Sequence, residues 1–133
     1  MGQRKRPGRV QNRTEVEIRT INFSFECAVL IGDADFALEH TDESFLKELI
    51  KQLQHYSTIE PQHLRNMAQH CHPIDWQDPR LTRPHGFSHL DEQKQSYPGW
   101  QLNVVGKARV QGFFRENVFY PVWFDRNHAL YRT

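Results

Sequence analysis

Residues 108–131, ARVQGFFRENVFYPVWFDRNHALY, decide the fold. Strand-forming residues run over 108–115, Glu116-Asn117 makes a two-residue turn, and a second strand follows over 118–125. Arg126-Asn127 then turns the chain into a short third strand ending at Tyr131. With Arg115 opposite Val118, the pairing sets Phe113 against Tyr120, Gly112 against Pro121, Gln111 against Val122 and Arg109 against Phe124. With Asp125 opposite His128, Tyr131 lies against Val122. Alternation of period two then collects Arg109, Gln111, Tyr120 and Tyr131 on one face, and Val110, Phe114, Phe119, Trp123 and Leu130 on the other. The second face is a core and the first a polar working surface. His128 falls on the side of Trp123 and Leu130, so it reaches the working face only around the sheet's end. Pro121 has no N–H to donate, and its gap points toward the third strand, opposite Arg132.

Upstream, Ile21, Phe23, Phe25, Cys27 and Val29 alternate with polar residues as in a half-buried strand that Gly32-Asp33 ends. Residues 36–38 read as a short return strand. Thr41 or Asp42 caps a helix that carries Phe45, Leu46, Leu49, Ile50, Leu53 and Tyr56 on one face. Ser57 and Glu60 match a capping box and Pro61 suits a first turn, so a second helix with Leu64 and Met67 follows. Residues 70–99 hold four of the seven prolines and no periodicity. An excursion that long is functional or locally structured rather than idle, and Ile74, Trp76, Phe87 and Leu90 are the residues that pack it onto the body. Residues 100–105 (WQLNVV) make a further strand, and Gly106-Lys107 turns it into Ala108. The expected architecture is α+β: two helices packed on a mostly antiparallel sheet of four to five strands, with a long inserted loop.

A chain of 133 residues is long enough for one compact domain, placed at 14–133. Residues 1–13 hold Arg4, Lys5, Arg6, Arg9 and Arg13 and no acid, which leaves 12 basic against 16 acidic residues in the remainder. The tail's Gly, Pro and Gln content reads as disorder, and Arg4, Lys5 and Arg6 are candidate contacts to a phosphate backbone. No apolar run approaches the ~18 residues of a membrane span, and no apolar segment follows the basic start as a secretory signal requires. The expectation is a cytoplasmic protein with no membrane partner, and Cys27 and Cys71, far apart and outside any CxxC pair, read as reduced thiols.

The order strand, helix, helix, antiparallel sheet, with Arg109 early in that sheet and His128 and Tyr131 closing it, resembles the RelE/YoeB/HigB superfamily of bacterial toxins. These are small mRNA-cleaving ribonucleases. The resemblance spans residues 43–131 and is carried residue by residue only at its end. It implies a RelE-like domain in which Arg109 holds the scissile phosphate, His128 is a candidate general acid and Tyr131 assists it. Lys107 and Arg126 would add positive charge, while Gln111 and Tyr120 share the RNA-facing surface. The implied partners are RNA, the translating ribosome and a cognate antitoxin protein, with no cofactor. The alternative is a non-catalytic RelE-like binding or scaffold subunit of a toxin-antitoxin or defence complex.

The chemistry is coherent without the family name. Cleavage of RNA by its own 2′-hydroxyl needs a base for that hydroxyl, donors for the charge growing on phosphorus and an acid for the leaving 5′-oxygen; a metal is not required. Arginine's planar fork matches two phosphate oxygens, and imidazole exchanges protons near neutrality. In the segment HCHPIDW, His72 is a candidate base that the excursion brings beside Arg109, with Asp75 close by; the same His-Pro-x-Asp pattern also reads as a turn whose carboxylate holds backbone N–H groups. Cys71, His72, His85 and His89 are chemically able to bind zinc, but there is no CxxC knuckle and no metal is assigned. Trp76, Phe87, Tyr97 and Trp100 suit either base stacking or core packing.

Overall fold

The computed structural model describes residues 19–132, so Arg4, Lys5, Arg6 and the rest of the basic tail lie outside the described residues. Five strands, β1 (Asn22–Phe23), β2 (Cys71–Pro73), β3 (Gly99–Val105), β4 (Ala108–Arg115) and β5 (Val118–Asp125), form one sheet in the order β1-β5-β4-β3-β2. Three pairings are antiparallel and β1 runs parallel to β5, so the sheet is mixed and the class is α+β. Among the described residues three α-helices accompany it: α1 (Glu43–Tyr56), α2 (Pro61–Arg65) and the single turn α3 (Glu92–Gln95). Among the described residues no helix is long and apolar enough to cross a membrane.

Helix α1 begins where Asp42 accepts the Phe45 N–H at 2.8 Å, the capping bond that short Asp side chains make. Phe45, Leu49, Leu53 and Tyr56 are buried against the sheet, whereas Leu46 and Ile50, expected on the same face, are exposed. One helix on a flat sheet buries a narrower stripe than a helix enclosed on two sides. The Tyr56 hydroxyl donates to the Asn103 carbonyl at 2.8 Å and ties the helix end to β3. Ser57 is not the cap of α2: its hydroxyl donates back to the Gln54 carbonyl, and Glu60, without a side-chain bond, precedes Pro61 at the helix start. Helix α2 stops at Arg65, so Met67 lies beyond it.

The expected strand over 21–29 shrinks to two residues. Phe25 turns the chain, with its carbonyl accepting the Ala28 N–H, and Val29 rejoins the β5 edge by donating to the Val122 carbonyl at 2.9 Å. The return strand at 36–38 is a turn followed by a 3-10 helix over Leu38–His40. The register of β4 with β5 holds as expected from Arg115↔Val118 to Gly112↔Pro121, then shifts, so that Gln111 faces Trp123 and Arg109 faces Asp125. Val122 is the extra residue of a bulge, and past it every side chain changes face. Val110, Phe114 and Phe119 therefore join the helix-side core, while Trp123 and Leu130 join a second core on the opposite side. Pro121 sits in the bulge against the irregular 24–29 edge, where its missing N–H leaves no gap in a ladder.

The second core is roofed by residues 74–98. Ile74, Leu81 and Phe87 are buried, with Trp76, Leu90 and Tyr97 packed around them, as the aromatic content of the excursion predicts. Phe87 meets Trp123 edge to face at 4.8 Å, and Tyr97, Phe113 and Tyr120 stack face to face. The sheet is thus covered on both sides, by α1 and α2 on one and by the excursion on the other. Gly112 lies tight against β5, since a Cβ there would run into the Tyr120 carbonyl and the Phe119 ring. The Gly112→Ala substitution is expected to destabilise the protein by about 1–3 kcal/mol, the overpacking range, toward its upper end because a backbone atom must move. Urea denaturation with an unchanged m-value checks this.

Candidate functional site

The sheet sets out the polar residues of its roofed face in two rows. Across the strands, His72 of β2 pairs with Gln101 of β3, Gln101 with Gln111 of β4, and Gln111 with Trp123 of β5. In the next row Asn103 pairs with Arg109 and Arg109 with Asp125. Cys71 points to the opposite side, into the helix-facing core, where burial pushes its thiol up to about 12. Alternation on β2 thus separates Cys71 from His72, and among the described residues no three His, Cys, Asp or Glu side chains gather as a metal would need.

Beyond β5 the chain does not form the expected third strand. Asp125, fully buried, accepts the Ala129 N–H at 2.6 Å on Oδ1 and the Leu130 N–H at 3.0 Å on Oδ2, closing residues 125–130 into a loop. His128 sits in the left-handed region at φ 56°, which turns the chain back across the end of the sheet. Residues 130–132 then pair with 80–82: Leu81 bridges Tyr131, Thr82 N–H donates to the Leu130 carbonyl, and Arg132 N–H donates to the Arg80 carbonyl. Tyr131 therefore lies against Leu81 rather than Val122.

These two constructions meet around a cavity of about 540 Å³ lined by His72, Pro73, Asp75, Asp78, Arg80, Gln101, Arg109, His128, Tyr131 and Arg132. All five residues singled out for catalysis, Arg109, His128, Tyr131, His72 and Asp75, are on its wall. His128 reaches it without rounding the sheet, because the bulge and the Asp125 loop return it to the side of Arg109. Its ring stacks on Tyr131 with centroids 5.9 Å apart.

Burial first, and then the Arg109 guanidinium, lower the His128 pKa below that of free histidine. Burial and the negative charge of Asp78 raise that of the Tyr131 phenol, which stays protonated. Arg109 is itself lowered by burial, although Asp125 opposes the shift; its Nη1 donates to the Gly106 and Ala108 carbonyls at 2.7 and 3.0 Å. Arg80 lies over the Tyr131 ring and grips Asp78 with two N–H donors, which brings that carboxyl down to about 2. Arg132 donates from Nη1 to the Pro79 carbonyl. Asp75 accepts the Gln77 N–H at 2.9 Å, so the turn reading of HCHPIDW holds while the residue still faces the cavity.

The other candidates separate. Gln111 is fully buried beneath the cavity floor and makes no surface contact. Tyr120 is held in the stack with Phe113, away from the cavity. Lys107 and Arg126 line a neighbouring hollow of about 260 Å³ with Asp42, Ser44 and Asn127. Arg80, Arg132, Asp78 and Gln101 are cavity residues that sequence reasoning missed. The first three depend on the pairing of 80–82 with 130–132, which leaves no local signal. Gln101 had one, the alternation of WQLNVV, but an extra residue at Val104 moves its partner from Gly112 to Gln111. No family model, curated protein or solved structure matches the chain.

The site rests on Asp125, whose carboxylate takes three N–H donors, the third being Gln111 Nε2 at 2.9 Å. Asp125→Ala is expected to cost about 1–3 kcal/mol for each buried donor it orphans. Chemical denaturation at pH 7 measures the loss, and increased amide exchange at Ala129 and Leu130 locates it.

Proposed function

We propose that this chain is a RelE-like toxin ribonuclease that cleaves RNA through the RNA's own 2′-hydroxyl. The observation that carries the reading is the convergence of His72, Asp75, Arg109, His128 and Tyr131, from separate parts of the sequence, on one cavity that also holds Arg80 and Arg132. Two imidazoles, a phenol and guanidinium donors around one space form the donor and acceptor set that phosphodiester transfer needs. Three arginines against two carboxylates leave the wall net positive, and Asp78 is already matched by Arg80.

In this reading the scissile phosphate sits on Arg109 and Arg132, whose fork geometry suits its non-bridging oxygens. The lowered pKa of His128 makes the neutral imidazole its resting form at pH 7, so it accepts the 2′-hydroxyl proton rather than supplying one. This reverses the acid role implied by the resemblance. His72, also on the cavity wall, delivers a proton to the departing 5′-oxygen, and the protonated Tyr131 donates to the charge building on phosphorus. Asp75 keeps its turn and moves no proton. The products are a 2′,3′-cyclic phosphate and a 5′-hydroxyl. The partners of this reading are mRNA, free or on the ribosome, and an antitoxin protein that covers the cavity.

The test is cleavage of labelled RNA by the purified chain, with and without ribosomes, read together with growth arrest on expression. Arg109→Ala is expected to slow cleavage about 10²–10³-fold, as when one preorganised donor is deleted, and to relieve the arrest. Cleavage undiminished in that variant overturns the assignment. RNA bound and never cut in either setting makes the chain a non-catalytic binding subunit instead. The pH profile carries a second expectation. The base form of His128 is lost as pH falls through its lowered pKa, so the acidic limb of the profile is centred below 6.5, the ordinary histidine value. An acidic limb centred above 6.5 removes His128 from the role of base.

A further inference from the structure

The buried polar chain behind the cavity has a direction. Both oxygens of Asp125 are occupied by main-chain N–H groups, Oδ1 by Ala129 and Oδ2 by Leu130, and a main-chain N–H cannot reverse its polarity. A carboxylate held this way only accepts, so the side chain that completes it must offer a donor. Gln111 does so, turning Nε2 toward Asp125 Oδ2. With its amide locked in that sense, Gln111 spends its second N–H on Gln101, at 2.8 Å, and only the Gln101 carbonyl oxygen can receive it. The cost of this order is visible: Gln111 Oε1 is buried with no partner. An amide rotated to satisfy that oxygen would set it against Asp125, and the molecule keeps the donor direction instead.

Gln101 stands at the open end of the chain. It lines the cavity, directly opposite His72 on β2 and one row from Arg109. Its oxygen is taken by Gln111, and among the described residues its Nε2 has no acceptor.

We infer that Gln101 is a substrate-binding residue whose amide N–H groups, fixed as donors by Asp125 through Gln111, hold a non-bridging phosphate oxygen of RNA on the cavity floor. This rests on the RNA-cleaving reading above and adds a contact that it lacks. A donor there is neutral, so it binds the phosphate without adding a charge to the cavity. It is also selective by polarity: the floor accepts an oxygen acceptor and rejects a group that presents a donor. Gln111 and Asp125 touch no substrate and act as positioning residues.

The full chain is titrated with a 2′-O-methyl dinucleoside monophosphate, which binds as RNA does and cannot be cut, while side-chain amide and arginine Nε–H resonances are followed by NMR. The Gln101 amide pair is expected to shift with the same affinity as the Arg109 Nε–H. A titration that moves the Arg109 signal and leaves Gln101 unmoved overturns the inference and leaves the RNA reading standing. A titration that moves neither, with no cleavage of RNA, sinks both. Gln101→Glu supplies the second arm: its carboxylate still accepts from Gln111 but turns an acceptor toward the phosphate. Affinity for the dinucleotide is expected to fall tenfold or more, about the worth of one hydrogen bond to a charged group, read on protein shown to be folded, because a carboxylate at this mostly buried position also lowers the melting temperature. Unchanged affinity in a folded Gln101→Glu protein overturns the inference. If that variant does not fold, the NMR titration of the native chain decides alone.

Discussion

A single buried carboxylate organises the functional end of this protein. Asp125 is fully enclosed, at the last position of β5, and its two oxygens gather three N–H groups from both sides of the sheet's edge. Taking a carboxylate out of water costs several kcal/mol unless such donors replace the lost hydration. Here the replacement also does construction. Because two of the donors belong to Ala129 and Leu130, satisfying Asp125 forces the chain to close on itself, puts His128 at positive φ and aims residues 130–132 at the 80–82 segment. Without that demand, a two-residue turn at Arg126-Asn127 would produce a plain hairpin, and the cavity would lose the wall formed by His128, Tyr131 and Arg132.

How far the sequence announced this can be followed along β4 and β5. The hairpin, its turn, the Gly112–Pro121 pair and the α+β order of elements were all legible, because they rest on local alternation and turn chemistry. The bulge at Val122 was not. Its causes are non-local: Gly112 is crowded by the Tyr120 carbonyl, Pro121 has no N–H for a neighbour, and Val29 arrives from the other edge to use the Val122 carbonyl. A one-residue slip reverses the faces of everything beyond it, so a reading correct for Phe113 and Phe114 is inverted for Trp123 and Phe124. The same slip returned His128 to the side of Arg109. The site residues were thus nameable by chemical type, while their convergence depended on a register that no local pattern encodes.

The excursion of residues 70–99 shows the other limit of pattern reading. Its aromatics pack as core, with Trp76, Phe87 and Tyr97 around Trp123 and Phe113, so they are committed to the second hydrophobic layer rather than held out as a stacking platform for bases. Its polar residues take the opposite fate. His72, Asp75, Asp78 and Arg80 line the cavity beside that layer. Aromatic cover and polar opening are two consequences of one fact: a sheet already backed by α1 can bury its second face only as far as the excursion's apolar residues extend.

The acidic character of the body bears on how RNA would enter. Sixteen acids against twelve bases outside the tail oppose a polyanion at long range, but at physiological salt a charge is screened within about 8 Å. A phosphate inside the cavity therefore responds to the groups on its wall, where Arg109 and Arg132 act at close quarters and Arg80 is balanced by Asp78. Under the proposed reading this divides the work in a definite way. Capture from solution gains little from the body's field, whereas a phosphate delivered to the cavity meets the fixed donors of Arg109, Arg132, Tyr131 and Gln101. Such a site favours RNA held in place by another body over RNA diffusing freely, because proximity replaces the electrostatic steering that the surface does not supply.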